Sequence, residues 1–151
     1  MVVNINLYAR TLMIYEVLTH KIIGCAMKVH SALGNGFQEV IYQRALAIEM
    51  GKQALNFARE MEMYIYYDNF KIGTRRVDFF VEEKIMLEMK ATIDRNDSNL
   101  NQCRNYLEAY NLPVGLLINV GSNSLQYKRI YNSKHCEAKE RLKNRSNPNI
   151  L

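Results

Sequence analysis

Only two of the 151 residues are proline and three are cysteine, and no stretch approaches the roughly 20 consecutive apolar residues of a membrane-spanning helix. With 48% hydrophobic residues and so little proline, the composition excludes a disordered or fibrous chain and indicates a globular one. Cys25, Cys103 and Cys136 lack the spacing of metal ligands, which argues against a structural zinc site and for buried or free thiols in a reducing cytoplasm. MVVNINLYARTLMIYEVL has no basic stretch ahead of an apolar run, so neither export nor membrane insertion is expected. No Ser/His/Asp or Cys/His grouping offers a covalent nucleophile, and no zinc finger or RNA-binding aromatic set is present. In the absence of repeats and linkers, the expectation is one domain over residues 1–132.

What is present is distributed unevenly. From Lys128 to Leu151 there are seven Lys/Arg and two Glu, whereas residues 1–127 carry thirteen of each sign. The basic excess belongs to a tail, residues 133–151, expected to be helical from Ser133 to Arg145; such a charge suits phosphate backbones or solubility.

Helical periodicity runs from Thr11 to Leu33, with Ile14, Leu18, Ile22, Cys25/Ala26, Val29 and Leu33 on one stripe. Gly34-Asn35-Gly36 ends that helix, and a second is predicted from Phe37 to Met50 with the stripe Phe37, Ile41, Ala45 and Ile48. Glu39 and Tyr42, three apart on another face, are neighbours. Period-two alternation then marks strands over 55–67 and 71–81, joined at Asp68-Asn69, and a third ending at Lys90. A helix over 96–111, capped by Asn96 or Asp97, places Leu100, Cys103, Leu107 and Tyr110 inward, with Gln102 and Tyr106 as an i, i+4 pair off that stripe. PVGLLINV reads as a central or parallel strand, and Leu125–Tyr131 as the last strand. The order α-α-β-β-β-α-β-β gives the fold class α/β, a mixed central sheet flanked by helices.

TRRVDFFVEEKIMLEMKA carries the chemistry. Pairing Val81 with Lys84 buries Lys84 and Glu88 among hydrophobes, whereas pairing Val81 with Ile85 unites Val77, Phe79, Val81, Ile85, Leu87 and Met89 on one core face. The second register sets Asp78 opposite Glu88, with Lys90 two residues on. Two carboxylates that close repel unless a cation separates them, and Mg²⁺ or Mn²⁺ suits their hard oxygens. Lys90 is then placed to orient a water or to neutralise charge on a phosphate. On alternation alone a solvated polar strand face, with Lys90 bridging two acids, is the commoner outcome.

Gly36-Phe37-Gln38-Glu39-Val40-Ile41-Tyr42, with KVHSALGNG, RRVDFFVEEKIMLEMKA and VGLLINV in that order, resembles the bacterial GxxExxY family of the PD-(D/E)XK nuclease superfamily. Val77 stands where a proline often precedes the aspartate. The resemblance implies a restriction-endonuclease-like core and a metal-dependent phosphodiesterase site. In it Asp78, Glu88 and the Met89 carbonyl hold Mg²⁺ or Mn²⁺, Lys90 assists the water, and Glu39 is a helix-borne acid that joins them at the metal and in catalysis. Gln102 and Tyr106 resemble a QxxxY pair that holds the site or touches substrate, with Tyr42 beside Glu39 as a further supporting or substrate-contacting residue. His30 matches a family position and is given no catalytic role. The partner so implied is nucleic acid, DNA ahead of RNA, with a second copy or another protein left open. The rival reading is a nuclease-like binding or regulatory module with little or no turnover.

Overall fold

A computed structural model describes residues 2–93 and 97–135. The elements are α1 (Val2–Leu33), α2 (Glu39–Lys52), β1 (Phe57–Tyr67), β2 (Phe70–Val81), β3 (Ile85–Lys90), α3 (Asp97–Ala109), β4 (Val114–Asn119) and β5 (Gln126–Tyr131), in the expected order. They form a five-stranded sheet ordered β1-β2-β3-β4-β5, antiparallel except for the parallel pair β3–β4, which α3 connects. Residues 133–135 form a turn and bend; the rest of the expected tail helix, Asn96 and Cys136 lie outside the described residues. No described helix is long and apolar enough to cross a membrane.

Two apolar clusters cover the two faces of the sheet. One joins α1 and α2 to Phe79, Val81, Ile85, Leu87, Met89, Leu116 and Ile118. The other joins α3, through Cys103, Tyr106 and Leu107, to Val77, Met86 and Ile130. Cys25 and Cys103 are buried free thiols, and burial, helped by the charge of Glu88, pushes Cys103 up to about 12, which leaves it inert.

The glycines between the helices have a physical role. Gly34 and Gly36 take φ of +68° and +110°, a region costly for residues with a Cβ, and the turn sends the chain from α1 into α2. Fully buried Tyr42 staples that turn, its hydroxyl donating to the Gly34 carbonyl (2.7 Å) and accepting from the Phe37 N–H (3.3 Å). His30 adds a bond from Nε2 to the Ser122 carbonyl (2.9 Å) that ties α1 to the loop after β4. Tyr42→Phe is expected to destabilise by about 1–3 kcal/mol in urea unfolding, because it orphans a peptide group beside a buried ring; an unchanged midpoint would contradict the stapling role.

Three expectations about faces need correction. In α2 the buried stripe is Tyr42, Gln43, Leu46 and Met50, while Phe37 and Ile48 are 52% and 62% exposed. Two apolar stripes compete on this helix, and the anchored Tyr42 hydroxyl lets the tyrosine stripe win. In α1, Ile14 is exposed although Leu18, Ile22, Cys25, Ala26 and Val29 face the core. In α3, Tyr106 is a core residue, 8% exposed, and not a residue off the stripe.

The hairpin register is the one that the face argument selects, with Val81↔Ile85 and Phe79↔Leu87 paired around the Glu82-Glu83-Lys84 loop. Glu82 and Glu83 adopt φ of +52° and +53° without a glycine. Glu82 offsets that strain through Asn56, accepting its N–H at Oε1 (2.7 Å) and donating its own N–H to the Asn56 carbonyl (2.8 Å). Beyond Phe79 the expectation fails, since Val77 packs in the α3 cluster and not with Phe79. The β2–β3 ladder stops at Phe79↔Leu87, and Glu60, facing Asp78 on β1, has φ +49°. The strands therefore change phase at Asp78, which a strict period of two cannot anticipate.

Candidate active site

The break in the ladder makes the site. Where its backbone stops pairing with β3, Asp78 uses its side chain instead, Oδ2 accepting the Met89 N–H at 2.7 Å. The Glu88 carboxylate in turn takes the Asp78 N–H. The two acids are thus laced across a notch between diverging strands, and do not stand as a directly opposed ladder pair. Lys90 Nζ lies 3.9 Å from Glu88 Oε2.

From the other side of the sheet α2 contributes two groups one turn apart. Glu39 takes the Ala91 N–H and feels both Lys90 and Asp78, and Gln43 hydrogen-bonds the Asp78 carboxylate. Gln43 is a member that the sequence reading misses. The available sequence signal is its i+4 spacing from Glu39; in the structure it is buried, at 7% exposure.

The exit of β3 is held from β4. The Lys90 carbonyl accepts the Val120 N–H (2.8 Å), and the Asn119 amide brackets Thr92, donating to its carbonyl (2.9 Å) and accepting its N–H (3.1 Å). Gly121 permits this approach, since a Cβ there would stand 2.4 Å from the Thr92 nitrogen. Gly121→Ala is expected to cost about 3 kcal/mol or more in thermal unfolding, because backbone must move; a parent-like melting temperature would refute the close approach.

The three acids are all raised, by burial first and by neighbouring carboxylates besides. Burial first, then the charge of Asp78, raises Glu88 to about 7 against the pull of Lys90. Asp78 is raised by burial, opposed by the Met89 N–H and Lys90; Glu39 is raised by burial, opposed by Lys90. Glu88 is 6% exposed, and its Oε1 is buried with no hydrogen-bond partner. A buried carboxylate oxygen left unsatisfied next to a second acid is costly unless a cation completes it. Among the described residues no three His, Cys, Asp or Glu side chains form a ready cage. The donor set therefore fits a hard ion that keeps several of its waters, as Mg²⁺ does.

A pocket of about 530 Å³ opens on these groups, with Asp78, Glu88 and Lys90 joined by Arg75, Arg76, Gln102 and Tyr106. Gln102 and Tyr106 thus lie on the same pocket as the acids, while Glu39 approaches from behind and Tyr42 stays in the core at the inter-helix turn. Arg75, which the sequence reading misses, donates from Nε to the Tyr106 hydroxyl. Its exposed position, two residues before Val77, gives no sequence signal of that contact.

Comparison with curated proteins finds no match. Among solved structures, one titled "Crystal structure of SSO0001" is similar, with a TM-score of 0.50 and 18% identity, covering 73% of this chain and 60% of that one. At this identity the likeness concerns the fold alone, and this chain spans less than two thirds of that protein's length. The PD-(D/E)XK nuclease superfamily matches residues 16–130, in keeping with the mixed, restriction-endonuclease-like sheet. That match takes in the α1–α2 turn, the hairpin acids and the parallel strand pair, and the chain belongs to the PD-(D/E)XK nuclease superfamily.

Proposed function

We propose that this chain is a metal-dependent nuclease that hydrolyses phosphodiester bonds of nucleic acid, DNA ahead of RNA, as a member of the GxxExxY group. The observation that carries this reading is Glu88 Oε1, buried and unpartnered beside Asp78. Asp78 and Glu88, with the Met89 carbonyl, would hold Mg²⁺ or Mn²⁺, and Glu39 adds negative charge from α2. When bound, the ion supplies an acidified water and polarises the scissile phosphate. Lys90 sits at the edge of the acids, 3.9 Å from Glu88, where its ammonium orients the attacking water and balances charge gathering on the phosphate. Gln43 fixes the Asp78 carboxylate, and the bracket of Thr92 by Asn119 fixes the end of β3 that carries Lys90. Tyr106, tied to Arg75, and Gln102 line the approach for the substrate.

Cleavage of single- and double-stranded DNA and RNA, assayed in Mg²⁺, Mn²⁺ and EDTA, tests this reading. The expected result is cleavage in either metal and none in EDTA. Cleavage that persists unchanged in EDTA would overturn it.

A further inference from the structure

The outer half of the β1–β2 pair projects past the rest of the sheet. β3 is matched to β2 only from Phe79 to Val81, whereas β1 and β2 remain paired out to Tyr67↔Phe70. A two-stranded ribbon is marginal in water. Only its base is packed, through Met61 and Met63 against the α3 cluster. Beyond them Tyr64, Tyr66, Tyr67, Phe70 and Ile72 are 44% to 74% exposed. Strand-forming preference alone does not account for so many large side chains left in water.

Their arrangement points to a ligand. Directly opposed residues share a face, so the register puts Tyr66 with Lys71, Tyr64 with Thr74, and Glu62 with Arg76. The Lys71 ammonium lies 3.9 Å from the centroid of the Tyr64 ring, which sets all of these on one side. Beyond Glu60 the projecting part of the ribbon has two acids, Glu62 and Asp68, against Lys71 and Arg76 on this face and Arg75 on the other. At its base, Thr74, Arg75 and Arg76 line the same pocket as Asp78, Glu88 and Lys90. Flat rings interleaved with cations match a ligand that alternates planar bases with phosphates. A protein partner is recognised through a continuous apolar core depleted of charge, which this face lacks.

We propose that the β1–β2 ribbon is a platform for single-stranded nucleic acid, whose bases stack on Tyr64 and Tyr66 and whose phosphates meet Lys71 and Arg76 on the way to the acids. The seven steps from Lys71 to Asp78 span roughly 23 Å of extended strand, room for several nucleotides. This inference rests on the nuclease reading for its direction, because the strand is led toward the acidic pocket.

The test is fluorescence anisotropy of a labelled oligothymidylate on the full chain in EDTA, where no cleavage intervenes. Tyr64→Ala with Tyr66→Ala is expected to weaken binding about tenfold or more, and Tyr64→Phe with Tyr66→Phe to stay within about twofold of the parent. Lys71→Ala should lower the slope of log affinity against log salt by about one. Circular dichroism checks that the variants stay folded. Parent-like affinity of the double alanine variant would overturn the proposal. So would loss of self-association in sedimentation with affinity for the oligonucleotide intact, which would make the ribbon a contact between copies. A separate cleavage assay in Mn²⁺ distinguishes the two readings. Ribbon-dependent binding without cleavage removes the nuclease and leaves the platform; cleavage with ribbon-independent binding does the reverse.

Discussion

Asp78→Ala is expected to lower metal-dependent cleavage by on the order of 10³-fold, and Lys90→Ala by about 10²- to 10³-fold, with both proteins folded. The two losses should differ in kind. Asp78 both lies beside the unpartnered Glu88 oxygen and ties β2 to β3 through the Met89 N–H. Its removal should therefore also weaken the affinity for Mn²⁺. Lys90 is no ligand in this scheme, so Lys90→Ala should bind Mn²⁺ as well as the parent or better, and lose its rate in kcat. Steady-state kinetics with a calorimetric Mn²⁺ titration reads both. Cleavage by either variant at the parent rate would remove that residue from the site.

The second large effect concerns the metal-free protein and pH. Glu88 has a folded pKa of about 7 against an ordinary 4.5. For an acid raised in this way, folding carries no penalty below the unfolded value, and the penalty is complete once pH exceeds the folded one. Stability in EDTA should therefore fall as pH rises from about 4.5 to 7, by up to about 3 kcal/mol from this group, because one pKa unit corresponds to about 1.4 kcal/mol. Asp78 and Glu39 are raised as well and act in the same direction. Glu88→Gln should flatten the slope, so that the variant is the more stable protein at pH 7.5 and the two converge near pH 5. Millimolar Mn²⁺ should stabilise the parent at pH 7.5 and not the variant. Urea unfolding at the two pH values measures this, and parallel pH profiles for parent and variant would contradict it.

Much of the architecture was legible because it follows from local rules. Asp68-Asn69 turn with φ of +48° and +64°, as a two-residue hairpin between extended runs requires. Keeping Phe79, Val81, Ile85 and Leu87 on one face is enough to select Val81↔Ile85. VGLLINV, apolar but for Asn119, lies between β3 and β5 and pairs in parallel with β3. What escaped the sequence is non-local. The alternation of Val77 with Phe79 presumes an unbroken ladder, and nothing in the letters around Glu60 announces a left-handed residue opposite Asp78. In α2, Tyr42, expected beside Glu39 and off the apolar stripe, is the buried anchor. Asp78, Glu88 and Lys90 were nominated by spacing, whereas Gln43 and Arg75 enter through contacts with Asp78 and Tyr106 made across 35 and 31 positions of chain.

The interruptions along β1 bear on colloidal behaviour as well as on chemistry. Among the described residues β1 and β5 are the sheet's two rims, each offering peptide groups that another chain's strand could copy into a fibril. At Glu60 and again between Ile65 and Tyr66 the regular pattern is broken, so an incoming strand cannot stay in step for more than a few residues. Lys128 and Arg129 set like charges along the opposite rim. The kink that frees Asp78 from its ladder thus also keeps a tyrosine-rich hairpin from becoming a template for amyloid.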